Sequence, residues 1–176
     1  RKYIAPDKLP PLAELPVDFL AWTTTPWTLS SNTALTVGPR ITYALVSTTN
    51  RYTSTKGLVG LAESLLSKQF GGKNAPEHEV LAHVVGADLC GERYEPLFDW
   101  AEPMDGAAGA FQIIPGDFVT TEDGTGIVHT APTFGADDAR VAQAAGVPPM
   151  LVDDGMGHGV PLVDMQGRIR EGIGPF

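Results

Sequence analysis

At 176 residues, with 43% hydrophobic and 19% charged side chains, the chain is long enough to bury one core and too apolar for wholesale disorder. Twelve Lys and Arg against 21 Asp and Glu leave a formal net charge of -9, which argues against a free-standing nucleic-acid binder, because phosphate neutralisation needs clustered cations. The lone Cys90 excludes an intramolecular disulfide and suits a reducing compartment, so the expected location is the cytoplasm.

The chain opens at Arg1 with no signal-like stretch and contains no 18-residue apolar run, so it is expected to be a piece of a larger soluble protein with no membrane partner. Fifteen Pro and 20 Gly favour short elements and many turns. Residues 1–16 are Pro-punctuated and read as an extended connecting segment. VDFLAWTTT (17–25) reads as a strand ended by Pro26, and ITYALVSTT (41–49) as a second strand. From Thr55 the period changes. Leu58, Leu61, Leu65 and Leu66 recur at helical spacing up to Gly71-Gly72, which predicts a helix across this stretch. HEVLAHVV (78–85) returns to strand composition, and 94–98 reads as a short extended piece around Pro96.

In FQIIPGDFVTTEDGTGIVHTAP (111–132), Asp123-Gly124 between two β-rich runs predicts a hairpin that pairs 118–122 with 127–131. TFGADDARVAQAAG then predicts a short helix closed by Gly146, with Asp137 and Asp138 in its first turn. Beyond Val147 the chain reads as loops with at most one further strand, His158 as a solvated loop residue, and about 160–176 as a second connecting segment. No repeat or domain boundary interrupts this plan. The chain is expected to be one domain over 1–176.

G-x-S-x-G, CxxC and Walker patterns are missing. HEVLAH (78–83) has one residue too many for H-E-x-x-H, and on a regular strand His78 and His83 point to opposite faces, which predicts no metal site there. GTGIVH (124–129) carries half of a dinucleotide fingerprint but sits at a hairpin tip, not at a strand-to-helix turn. Two features remain. On a strand, Thr23 and Thr25 project to one face and Thr24 to the other, so hydroxyls could line a pocket or simply suit a strand. A threonine nucleophile would need an adjacent base, and none is visible. Asp137 and Asp138 could serve the helix dipole alone, or receive an ammonium group. His129 by itself reads as a packed strand histidine.

Taken together, WTTTPWTL with Asn32 (22–32), GADLCGERYEPLF (86–98) and GTGIVHTAPTFGADD (124–138) resemble the editing domain of isoleucyl-tRNA synthetase, the insertion called connective polypeptide 1 in a class I synthetase. The anchors fall in order along nearly the whole chain. Valyl and leucyl relatives typically carry Arg where this chain has Thr25, which favours the isoleucyl member. The chain departs from the pattern at Ser30, where many relatives have Pro, and at Phe134, where many have His.

The resemblance implies a strand-rich α+β fold with a barrel-like β core and a few short peripheral helices, its termini close together where it leaves a Rossmann-type catalytic domain. It implies hydrolysis of valine mischarged on isoleucine tRNA, and of valyl-adenylate as a further substrate, with no cofactor and no metal. The partners implied are the aminoacylated 3′ end of that tRNA, misactivated valine and the rest of the synthetase. Thr24, Thr25 and Asp138 would carry the catalytic site. Trp22, Thr23, Asn32, His129, Thr130, Ala131 and Asp137 would bind substrate, with Asp138 as ammonium anchor and His129 as the wall that limits side-chain size. An editing domain for another branched amino acid, or a silent module that docks the tRNA end, are the alternatives.

Overall fold

A computed structural model describes residues 2–8, 15–50, 52–73 and 75–171. The expected proximity of the termini, and the parts of the two connecting segments at 1, 9–14 and 172–176, fall outside the described residues. Among the described residues, nine short strands and three short α-helices make a strand-rich α+β domain.

The first sheet has the order β1-β4-β3-β5, formed by β1 (Val17–Phe19), β3 (Thr42–Thr49), β4 (Lys56–Ala62) and β5 (His78–Val85). The second has the order β6-β2-β7, from β2 (Ala34–Val37), β6 (Gln112–Pro115) and β7 (Ile127–Thr130). A separate hairpin joins β8 (Leu151–Asp153) to β9 (Gly159–Pro161). Helices α1 (Leu66–Phe70), α2 (Gly86–Leu89) and α3 (Ala136–Ala144) lie between strands. The described strands form open sheets; the expected barrel is not closed.

The stretch after β1 ties the two large sheets together. Leu20 N–H donates to the Gly60 carbonyl on β4 at 3.0 Å, and two residues later Trp22 N–H donates to Ile127 on β7 at 2.8 Å. The strand expected over 17–25 is thus β1 plus a single bridge from Trp22 to Val128. Buried Tyr43 adds a second tie: its hydroxyl donates to the Gly126 carbonyl at 2.6 Å and accepts the Gly38 N–H at 2.9 Å. Burial pushes that phenol up to about 12, so it stays a donor.

The helix expected from Thr55 is mostly strand. In β4, Leu58 packs with Leu45 and Leu81 on one face, while Leu61 packs with Ala44, Val46 and Phe70 on the other. A strand buried on both faces reads as a continuous apolar run, and its leucines imitated a helical period. Only a 3-10 turn at Glu63–Leu65 and α1 remain helical.

The hairpin expected at Asp123-Gly124 also fails. β7 pairs antiparallel with β2, with Leu35 opposite His129 and Val37 opposite Ile127, while 118–122 forms no strand. Here the glycines serve packing. Gly124 and Gly126 adopt φ of +73° and +76°, and a Cβ would meet Trp22 Cγ at 2.6 Å or Ala62 Cβ at 2.5 Å respectively. The loop is folded down onto the inter-sheet seam, with Ala62 N–H donating to the Thr125 carbonyl at 2.8 Å.

The expected strand at 78–85 is present as β5, and the expected helix after Pro132 as α3, closed by Gly146 at φ +70°. β5 does not alternate regularly, because its register on β3 shifts between Leu45 and Val46. His78 opposes Thr48 and His83 opposes Ala44, so both histidines point to one face, contrary to the expectation from a regular strand. They are separated by about four strand steps, roughly 13 Å at about 3.3 Å per residue. His83 pairs with Glu63 at 3.2 Å and His78 stacks on Phe70.

The extended piece at 94–98 makes no strand, only a bridge from Arg93 to Gln112. Beyond Val147 the described residues form two strands, one more than expected, and exposed His158 pairs with Asp154 at 3.2 Å. Thr33 Oγ1 is buried and finds no hydrogen-bond partner among the described residues. Thr33→Val keeps the shape and removes that orphan, so it should raise unfolding stability by about 1 kcal/mol, read as a higher urea midpoint with an unchanged slope.

Candidate active site

A cleft of about 450 Å³ opens where the seam between the sheets meets α3. That size is ordinary for a small-molecule site. It is lined by Trp22, the run Thr23 to Thr25, His129, Ala131 and Asp138, with Trp27, Thr28, Val128, Phe134 and Gly135 completing the wall. Of the expected residues, these first seven converge.

Local chemistry explains the threonine run. Trp22 ends the bridge to β7, and the Thr25 N–H then donates to Thr23 Oγ1 at 3.0 Å, turning the backbone. Pro26 starts a 3-10 helix, Pro26–Ser31, whose fixed φ suits that first position. The run is therefore not an alternating strand, and all three threonines line the same cleft.

His129 is 4% exposed and clamped at both ring nitrogens. Asn32 Nδ2 lies 2.8 Å from Nδ1, and Thr28 Oγ1 lies 3.0 Å from Nε2. An amide nitrogen can only donate, so Nδ1 accepts and Nε2 carries the hydrogen. Thr28 Oγ1 in turn donates to the Thr25 carbonyl at 2.8 Å. Burial pushes the His129 pKa down to about 4, only partly opposed by hydrogen bonding to the Thr28 backbone. The ring is a neutral, fixed surface with both nitrogens occupied, which leaves none to act as a general base at neutral pH.

Asp138 sits in the first turn of α3, half-buried, with Oδ2 accepting the Ala131 N–H at 2.8 Å. Burial pushes its pKa up, opposed by the Ala131 bond and supported by neighbouring Asp137. A ligand cation beside it would favour the charged form. Gly135 leaves room for the carboxylate, since a Cβ there would stand 2.8 Å from Asp138 Cγ.

Three expected residues lie elsewhere. Asp137 is exposed and pairs with Arg140 at 3.4 Å, because adjacent positions of a helix diverge by about 100°. Thr130 is fully buried with its Oγ1 2.6 Å from Thr36 Oγ1, on the face of β7 opposite His129. Asn32 stands behind His129 and outside the cleft lining.

Thr28, Trp27, Phe134 and Gly135 had no assigned place in the site. Thr28 was within reach of sequence reasoning, since a Pro-started 3-10 turn aligns positions 25 and 28. Among the described residues, no group of three or more His, Cys, Asp or Glu is placed to hold a metal ion, and no helix is long and apolar enough to cross a membrane.

No family model matches the chain. It is 49% identical over 171 residues to an isoleucine–tRNA ligase of Bacteroides thetaiotaomicron, a match that covers 85% of this chain and 15% of that protein. For the isoleucine–tRNA ligase of Porphyromonas gingivalis the figures are 51% over 164 residues, 85% and 14%. For that of Mycobacterium tuberculosis they are 44% over 154 residues, 85% and 13%. The chain thus spans about one seventh of the length of these relatives.

Among solved structures, the editing domain of the Plasmodium knowlesi cytosolic leucyl-tRNA synthetase matches with a TM-score of 0.58 at 19% identity, over 78% of this chain and 55% of that one. A leucyl-tRNA synthetase CP1 domain, GlLeuRS-CP1, matches with a TM-score of 0.56 at 20% identity, over 83% and 56%. By homology over 85% of its length, the chain is a segment of the isoleucine–tRNA ligase family, and it has the fold of a synthetase editing domain.

Proposed function

We propose that the cleft hydrolyses the ester that joins a wrongly attached valine to the 3′ end of isoleucine tRNA. The observation that carries this reading is the convergence of a half-buried carboxylate, Asp138, a run of hydroxyls, Thr23 to Thr25, and a neutral clamped ring, His129, on one small cleft.

Selectivity is the reason such a site is needed. One methylene in an apolar pocket is worth about 1 to 3 kcal/mol, a figure for which isoleucine against valine is itself the standard worked case. A synthetic site cannot hold back valine on that margin, so a second pocket removes it. Asp138 takes the α-ammonium group and fixes the amino acid, the His129 ring stops a longer side chain, and the threonine hydroxyls orient the ester carbonyl and a water. His129 cannot take the water's proton with both nitrogens in use. A hydroxyl of the terminal ribose is the proposed assistant, so a 3′ end lacking that hydroxyl should react more slowly.

Exposed Trp22, Trp27 and Phe134 rim the cleft and offer faces on which unpaired bases can stack. The net charge of -9 leaves the phosphate contacts to the remainder of the ligase, the proposed partner of this segment. No cofactor takes part in this scheme.

The test is deacylation of valyl- and isoleucyl-tRNA for isoleucine by the full ligase. Wild type should release valine and spare isoleucine, and His129→Ala should begin to release isoleucine. Equal rates on both substrates in wild type would refute the reading.

A further inference from the structure

Behind His129 lies a second cavity of about 670 Å³, and Asn32 and His129 belong to the partition that divides it from the cleft. Tyr94 lines this rear cavity and not the cleft. Its hydroxyl donates to Asn32 Oδ1 at 2.5 Å, across 62 residues of sequence. The Tyr94 N–H donates to the Phe111 carbonyl at 3.0 Å, and the two rings meet edge to face at 6.1 Å. Arg93 anchors the same corner through the Ala108 and Ala110 carbonyls at 2.7 and 2.9 Å. The ring is therefore held in place independently of its hydroxyl.

Asn32 has one orientation that satisfies this surrounding. Its Nδ2 faces the carbonyl oxygens of Ala34 at 2.8 Å and Thr130 at 3.3 Å as well as His129 Nδ1 at 2.8 Å, and all three can accept. A flipped amide would set its oxygen against two carbonyls. The remaining atom, Oδ1, is buried with Asn32 and accepts from the Tyr94 hydroxyl. Polar groups thus run in one direction: Tyr94 to Asn32, Asn32 to His129, His129 Nε2–H to Thr28, and Thr28 to the Thr25 carbonyl. With Thr28 committed as donor to that carbonyl, Thr25 Oγ1, 3.2 Å away, can donate to Thr28, and its acceptor side meets the Thr23 hydroxyl at 3.4 Å and the cleft.

We propose that Tyr94 is a positioning residue for the cleft: acting through Asn32 and together with the Ala34 and Thr130 carbonyls, its hydroxyl fixes the tautomer and pose of His129 and so the direction of the hydroxyl chain that ends at Thr25. The kinetic consequence rests on the proofreading reading; the tautomer does not. The hydroxyl stays protonated in this role, since burial pushes the Tyr94 pKa well above its ordinary value. A residue outside the cleft then governs what the cleft accepts.

The experiment uses the full ligase with histidine labelled at 13Cδ2 and 15N, His129 being assigned by the signal lost in His129→Gln. Wild type should show the Nε2–H tautomer. Asn32→Asp places a carboxylate where the amide donated, and should convert the ring to Nδ1–H. Tyr94→Phe keeps the ring and its packing on Phe111, and should move the His129 signals toward a mixture of tautomers. The same variant should lower the ratio of valine to isoleucine release by about 3- to 10-fold, the range set by one neutral hydrogen bond.

An unchanged His129 spectrum in Tyr94→Phe, or a release ratio within twofold of wild type, would overturn the proposal. If wild type showed no preference for valine, the proofreading reading would fall, and the spectrum alone would decide the positioning role, a shift supporting it and constancy refuting it.

Discussion

Asp138→Asn in the full ligase is expected to lower kcat/KM for valine release from isoleucine tRNA by about 30- to 150-fold. Asparagine is nearly isosteric and its side-chain oxygen can still accept the Ala131 N–H that Asp138 Oδ2 accepts at 2.8 Å, so the local fold should survive. What disappears is the charge. A hydrogen bond to a charged group contributes about 1.5 to 3 kcal/mol, and the half-buried position of Asp138 favours the upper part of that range. Asp138→Ala should cost more, because it also strands the N–H of Ala131, which is 2% exposed. Asp137→Asn is the internal control. That carboxylate is exposed and engaged with Arg140, and breaking a surface ion pair should leave the rate within about twofold. The pH profile has a defined sign: burial raises the Asp138 pKa, so activity should fall on acidification through that raised value as the anchor loses its charge. Equal losses in the two neighbouring variants would remove Asp138 from the site.

The contrast between these two aspartates also marks how far the sequence could be read. The first turn of α3 was legible because Gly135, the acidic pair and the alanine pattern agree, yet which acid faces the cleft depends on how α3 docks against β2 and β6. Likewise Thr23 to Thr25 were legible as a polar run, but their common orientation comes from the turn made by Thr23 Oγ1 and Pro26. The two failed elements share a cause. Leu58 and Leu61 imitate a helix because β4 is buried on both faces, and Asp123-Gly124 imitates a hairpin because its glycines meet Trp22 and Ala62 across the seam. Both are tertiary facts that override local preference. Tyr94 carried no local signal, since its partner Asn32 is 62 residues away.

His129 sets the second large expectation, a loss of stability on the order of 3 kcal/mol as pH falls from about 6.5 to about 4. The folded ring protonates near 4 because it is buried, whereas an unfolded histidine protonates near its ordinary value of 6.5. Between those values the unfolded chain holds more protons, so stability rises with pH across the window and is lost as pH drops through it. Two and a half units at about 1.36 kcal/mol each give the magnitude, and 4% exposure leaves little solvent to screen it. Neutral Asn32 and Thr28 touch the ring nitrogens, so neither offers a countercharge to an imidazolium. Urea unfolding at pH 7 and pH 4 would read the effect as a difference between wild type and His129→Gln, in which the carboxylates that titrate over the same range cancel. Wild type should lose about 3 kcal/mol more than the variant. Equal losses would mean that the ring finds water or a carboxylate in the folded chain, and with that the neutral, clamped wall on which the proposed selectivity rests would be gone.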